Sequence, residues 1–126
     1  MNIIINNSSM IPIYEQILEQ IKKQIINGTL KTHDPLPSVR SLSKDLKISA
    51  LTVKKAYDHL EESGFIVTIH GKGSYVAETN KELAMEEEQR QIEMEMERII
   101  DKAIACGMKK SQVTELFTLI MEDKND

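Results

Sequence analysis

A chain of 126 residues with a net charge of −4 has room for one small domain plus an appendage. The single cysteine, Cys106, excludes an internal disulfide and suits a reducing cytoplasm. Residues 1–7 lack the basic start and long apolar run of a signal peptide, and no stretch approaches the ~20 apolar residues of a membrane span, so a cytoplasmic protein without membrane attachment is expected.

The charge is segregated along the chain. Residues 1–77 hold 9 Lys/Arg against 7 Asp/Glu, a balance of +2, whereas residues 78–126 hold 7 against 13, a balance of −6. Segregation of this kind assigns an anionic partner to the first part and a different task to the second. The expected organisation is therefore a module over 1–78 and a second over 79–126.

In chain order, Ile3-Ile4-Ile5 is a short apolar run suited to a β-bridge or to an arm packing on a neighbour. Pro12 opens a helical pattern, as proline does at a first helical position. Ile13, Ile17, Ile21 and Ile25 recur every four residues, with Tyr14 and Leu18 beside them and Gln16, Glu19, Lys22 and Lys23 on the other side. Asn27-Gly28 ends this helix. Thr29 to Pro37 reads as a loop, with two prolines around Leu36 favouring extended backbone. Ser38 has the chemistry of an N-cap for a helix through Lys47, with Val39, Leu42 and Leu46 inward. Ile48-Ser49 is a turn, and Ser49 caps a helix to about Ser63 that buries Val53, Ala56, Tyr57 and Leu60. Gly64 stops it. Residues 65–69 and 74–77 are β-branched or aromatic runs joined by His70-Gly71-Lys72-Gly73, a hairpin signal.

From about Asn80 the composition shifts to Glu, Met, Gln and Ile. Met85, Gln89, Ile92, Met96, Ile99, Ala103 and Cys106 step by alternating four and three, a heptad seam over about three repeats. Gly107 breaks the pattern, and Ser111 to about Asp123 is a second helix with Val113, Leu116, Phe117, Ile120 and Met121 on one stripe. Two helices with one stripe each cannot hide both from water, so they are expected to pack on each other and on a partner chain through Ile92, Met96, Ile99, Ala103, Leu116, Phe117 and Ile120. Cys106 is expected as a small buried group on that seam.

The fold class that results is mainly α with a small β-hairpin: a winged helix-turn-helix followed by a two-helix dimerisation tail. Such a module presents the N-terminal end of its second short helix to the major groove of double-stranded DNA. The candidate contacts there are Ser49, Ala50, Leu51, Thr52, Lys54 and Lys55. Hydroxyls suit phosphates or base edges, Leu51 suits a thymine methyl, and the lysines supply point charges. Arg40 carries a guanidinium fork one turn into the preceding helix, and Ser38 and Ser41 offer hydroxyls at its N-terminus. Lys44 and Lys47 add charge on the same side. His70, Gly71 and Lys72 form a narrow wing tip suited to a minor groove.

Segments Pro12-Ile13-Tyr14-Glu15-Gln16, Leu36-Pro37-Ser38-Val39-Arg40, Leu51-Thr52-Val53, Ala56-Tyr57, Leu60-Glu61, Gly64 and His70-Gly71-Lys72-Gly73-Ser74-Tyr75-Val76 together resemble the DNA-binding domain of the GntR family of bacterial transcription regulators, over about residues 10–78. The resemblance implies a homodimer on a palindromic operator, with contacts by Arg40, by the start of the third helix and by the wing at His70 and Gly71. The short tail is similar to the YtrA-type branch, whose members typically repress operons encoding ABC transporters. The 49 residues after Ala77 leave no room for the family's long effector-binding or pyridoxal-phosphate domains, so no cofactor is expected. Departures from the family pattern are Thr32-His33 where Pro-Gly is usual, Lys47-Ile48 where a glycine usually precedes the apolar residue, and Ser49-Ala50-Leu51 and Lys54-Lys55 where Asn or Arg is common. They bear on base preference, because lysine lacks the bidentate fork of arginine.

Catalysis and metal binding find little support. His33, His59, His70 and Cys106 stand at no ligand spacing, and no nucleophile, phosphate loop or carboxylate pair can be assembled. His59 reads as a solvated or helix-packing residue. The methionines read as core, and the glutamates of the tail as a solvated acidic face that keeps it off DNA. Two other functions remain open from sequence: a winged-helix interaction module that has lost DNA binding, and a small-molecule sensor with a pocket in its tail. Release from DNA by an unidentified effector is expected to act at the polar joint Glu78-Thr79-Asn80.

Overall fold

The isoleucine spacing produces the first helix, α1 (Ile13–Ile26). In the computed structural model, which describes residues 1–78 and 81–125, Ile17 and Ile21 are completely buried and Ile25 nearly so. Helix α2 (Val39–Leu46) and helix α3 (Ala50–Glu62) follow, then an antiparallel hairpin of β1 (Ile66–Ile69) and β2 (Gly73–Val76). Helix α4 (Lys81–Ala105) and helix α5 (Lys110–Glu122) complete the chain. No helix among the described residues is long and apolar enough to cross a membrane.

The chain divides into two compact units, Met1–Ala84 and Met85–Asp126. In the first, the side chains of Ile17, Ile21, Val53, Ala56, Leu60, Ile66 and Val76 form a continuous apolar core. Helix α3 lies at its centre, packed on both α1 and α2, and Phe65 and Ile66 carry the core into the hairpin. Ala84, near the start of α4, packs against the same core. In the second unit Val113 is buried, and Ile100, Ile104, Val113 and Phe117 line an open cleft with Lys110 and Thr114 at its edge.

Two segments differ from the expectation from sequence. The N-terminal residues form no β-bridge. They run along α1 as an extended arm held by a ladder of glutamines. Gln24 Nε2 donates to the Asn2 carbonyl at 2.8 Å, Gln20 exchanges bonds with the Ile4 backbone at 2.8 and 2.7 Å, and Gln16 does so with Asn6 at 2.8 and 3.1 Å. Four residues of helix rise about 6 Å and two residues of extended chain span nearly the same, so one glutamine per helical turn meets every second residue of the arm. The residues between, Ile3 and Ile5, turn into the core. Gln16 therefore anchors the arm and is not a solvated residue of the outer face.

The second difference is residues 33–36, expected as loop. They pair with the free edge of β2: His33 N–H donates to the Val76 carbonyl, Val76 N–H to Asp34 and Leu36 N–H to Ser74, each at 2.9 Å, with a bridge between Pro35 and Tyr75. The prolines that suggested irregular chain suit an edge, where a missing N–H is tolerated.

Candidate nucleic-acid interface

Both short helices are capped by serine, as their sequences require. Ser38 Oγ accepts from Ser41 N–H at 3.0 Å, and Ser49 Oγ accepts from Leu51 N–H at 3.1 Å. The turn between them closes when Ile48 N–H donates to the Ser43 carbonyl at 3.0 Å. That closure puts Lys47 in the left-handed region, φ 56°. Lys47 thus occupies the conformation for which glycine is suited. Helix α3 is tied to the start of α2 by Tyr57, whose phenol donates to the Pro37 carbonyl at 2.7 Å. Burial pushes the Tyr57 phenol well above its usual range, so it remains a donor.

The hairpin has the register Ile66 with Val76 and Ile69 with Gly73, leaving His70, Gly71 and Lys72 as the connection. Gly73, expected in the turn, opens β2. Gly71 at φ 80° supplies the left-handed residue the turn needs. Tyr75 Oη donates to the Lys72 carbonyl at 3.2 Å and pins the tip to the strand. Because residues 33–36 pair with β2 and lead directly into Ser38, the wing and the N-terminus of α2 share one hydrogen-bonded frame.

On this frame the side chains of Ser38, Arg40, Ser41, Ser49, Ala50, Leu51, Lys54, Lys55, His70 and Lys72 are exposed, as is Gly71, and Thr52 is half-buried. Arg40, Lys44, Lys47 and Lys72 make no side-chain hydrogen bond or ion pair among the described residues. The two lysines of α3 are different. Lys54 Nζ lies 2.8 Å from Asp58, whose hydrogen bond raises the lysine's pKa. Lys55 Nζ lies 4.0 Å above the ring of Tyr14, on α1. His59 stacks on the same ring at 5.5 Å, so it is a packing residue between α3 and α1.

Three groups that shape this surface were not among the sequence candidates. Tyr57 anchors α2, Asp58 holds Lys54, and Tyr14 holds Lys55. The Lys54–Asp58 spacing of four residues was the only local signal, since pairs at that spacing meet on a helix. The second unit carries the candidate seam. Ile92, Met96 and Ile99 are 50, 51 and 52% exposed, Leu116 and Ile120 are exposed, and Ala103 and Phe117 are half-buried. Cys106, expected to be buried on that seam, is exposed in the single chain. Among the described residues no cluster of His, Cys, Asp and Glu is arranged to hold a metal ion.

The sequence pattern described as "Bacterial regulatory proteins, gntR family" matches residues 13–76. The HTH-type transcriptional repressor YtrA of Bacillus subtilis (strain 168) is 36% identical over 127 residues, covering 97% of this chain and 98% of that protein. The chain is also similar to the structure of "YtrA from Sulfolobus acidocaldarius, a GntR-family transcription factor", with TM-score 0.57 and 36% identity over 98% of this chain and 100% of that one. The AraR DNA-binding domain in complex with operator ORX1 is similar over 61% of this chain and 96% of that one, with TM-score 0.54 and 25% identity.

Proposed function

The chain belongs to the GntR family of bacterial regulatory proteins and is a DNA-binding transcriptional regulator, and from that premise we propose that it is a cytoplasmic, dimeric repressor of a transporter operon. In this reading residues 1–78 hold the DNA and residues 79–126 join two copies. Each wing, with His70, Gly71 and Lys72, enters a minor groove while the start of α3 enters the adjacent major groove. Arg40 reaches base edges or phosphate, and Ser38, Ser41, Ser49 and Thr52 offer hydroxyls to the backbone. Lys54 and Lys55 act as supporting charge, because each already has an intramolecular partner.

The observation that carries this reading is the coupling of the unpartnered Arg40 guanidinium to the wing through the pairing of residues 33–36 with β2. Two contact groups on one frame hold a fixed separation, as recognition of adjacent grooves requires. The charge gradient of α3 supports it too: Lys54 and Lys55 precede Asp58, Glu61 and Glu62, so the helix is basic where it would meet phosphate and acidic where it would leave. Dimerisation is supported by the exposed Ile92, Met96 and Ile99, an apolar stripe of the kind that marks a protein interface.

Repression is steric: a dimer on two symmetric half-sites covers the promoter. A small-molecule effector would release it by changing the spacing of the two modules. The joint expected for this step includes Thr79 and Asn80, which lie outside the described residues. Titration of the protein onto duplexes carrying an inverted repeat, over a range of salt concentrations, tests the reading. Affinity should fall steeply as salt rises, and failure to bind any duplex at low salt would overturn the repressor reading in favour of the interaction module or the small-molecule sensor.

A further inference from the structure

Leu51 is out of character for its position. It is 77% exposed at the second residue of α3, while every other large apolar side chain of α2 and α3 is buried or half-buried. The buried set of α3 is Val53, Ala56, Tyr57 and Leu60. At about 100° per residue this places Leu51 on the line directly opposite the core, where so exposed a side chain contributes little to the fold. A lone exposed leucine is ordinary on most surfaces. Here the charged groups around it already have partners within the chain.

The Ser49 hydroxyl oxygen caps the helix by accepting from Leu51 N–H. Lys54 is held by Asp58 and Lys55 lies over Tyr14. Thr52 is half-buried, and Ala50 has no polar side-chain atom. Beside the Ser49 O–H, proposed to meet the DNA backbone, and the half-buried Thr52, what the first turn of α3 presents is the methyl group of Ala50 and the isobutyl group of Leu51. Neither can hydrogen-bond to a base edge. The one feature of the major groove that such groups distinguish is the C5-methyl of thymine.

We infer that this helix selects its operator by apolar contact, with Leu51 as a specificity-determining residue that reads thymine C5-methyl groups in each half-site. The inference rests on the DNA-binding reading and adds to it the chemical class of base recognised. Cytosine at the contacted position leaves Leu51 against bare groove edge. Deoxyuridine does the same while keeping every hydrogen-bonding group of thymine.

That last property supplies the test. An operator duplex is selected with the full-length protein, and each thymine is then replaced singly by deoxyuridine. Wild-type protein should lose affinity about threefold to fivefold at one or two positions per half-site, the size expected for one methyl group left in water. Leu51→Ala should no longer distinguish thymine from deoxyuridine at those positions. Its thermal melting should match wild type, since the side chain is exposed. Indifference of the wild type to deoxyuridine throughout the site would overturn the inference, as would unchanged discrimination in Leu51→Ala. Failure of both proteins to bind either duplex would instead remove the DNA-binding reading on which it stands.

Discussion

His33 and Lys47 have φ angles of 72° and 56°, and among the described residues they are the only non-glycine residues with positive φ. Both stand where the family pattern carries glycine. A side chain in the left-handed region is disfavoured by contact between Cβ and the following carbonyl, at about 1–2 kcal/mol, partly offset because glycine loses more freedom on folding. His33→Gly and Lys47→Gly should each raise stability by up to about 1 kcal/mol, read as a higher denaturant midpoint at unchanged slope. Arg40 belongs to the same scale. With no partner in the first unit, its loss should leave the fold intact, and Arg40→Ala should weaken operator binding by about 1–3 kcal/mol if the fork meets a base. Arg40→Lys should restore charge but little specificity in the same titration, because an ammonium cannot bond to two acceptors in one plane. The serine caps were legible in the sequence because capping is local. The contact of Lys55 with Tyr14 was not legible, because Tyr14 approaches Lys55 only through the packing of α1 on α3.

Among the elements, the wing is the clearest case of tertiary support. Residues 66–76 alone would be a two-stranded hairpin, which is marginal in water. Pairing of residues 33–36 adds a third extended segment, and the carbonyl of Phe65 receives Ala77 N–H at 2.9 Å below it. Strand β2 is thus paired along both edges, and the Lys72 side chain makes no ion pair among the described residues. Lys72→Ala should reduce affinity for all duplexes alike and lower the slope of log affinity against log salt by about 1, measured by titration at several salt concentrations. A sequence-selective loss would assign Lys72 to bases and not to phosphate. The positions of α1, α2, α3 and the hairpin were legible from apolar period and turn residues. The third extended segment was not, because its hydrogen bonds go to a strand some 40 residues later in the chain, and no local period reports that pairing.

For the whole molecule, the proposed division gives DNA reading to the basic first unit and the pairing of two copies to the acidic helical unit. In the proposed reading, one copy of the first unit offers the Arg40 guanidinium and an apolar helix tip, a small set of base contacts, so specificity would depend on two copies acting together. Ile99→Asp puts a carboxylate on the exposed stripe of α4. It should shift the protein toward monomer in sedimentation and weaken binding to an inverted repeat far more than binding to a half-site. A dimer that survives this substitution would place the interface elsewhere on the chain.

The sequence by itself determined the element order, the capping serines, the apolar face of each helix and the family. These follow from side-chain period, turn chemistry and motif spacing, all of which act over a few residues. Tertiary structure alone decided that glutamines of α1 hold the N-terminal arm, that residues 33–36 brace the wing, and that Lys55 lies over a tyrosine of another helix. The physical reason is that a side chain's availability depends on what distant segments bring beside it. A lysine over a tyrosine ring and a lysine in open water look identical in the sequence.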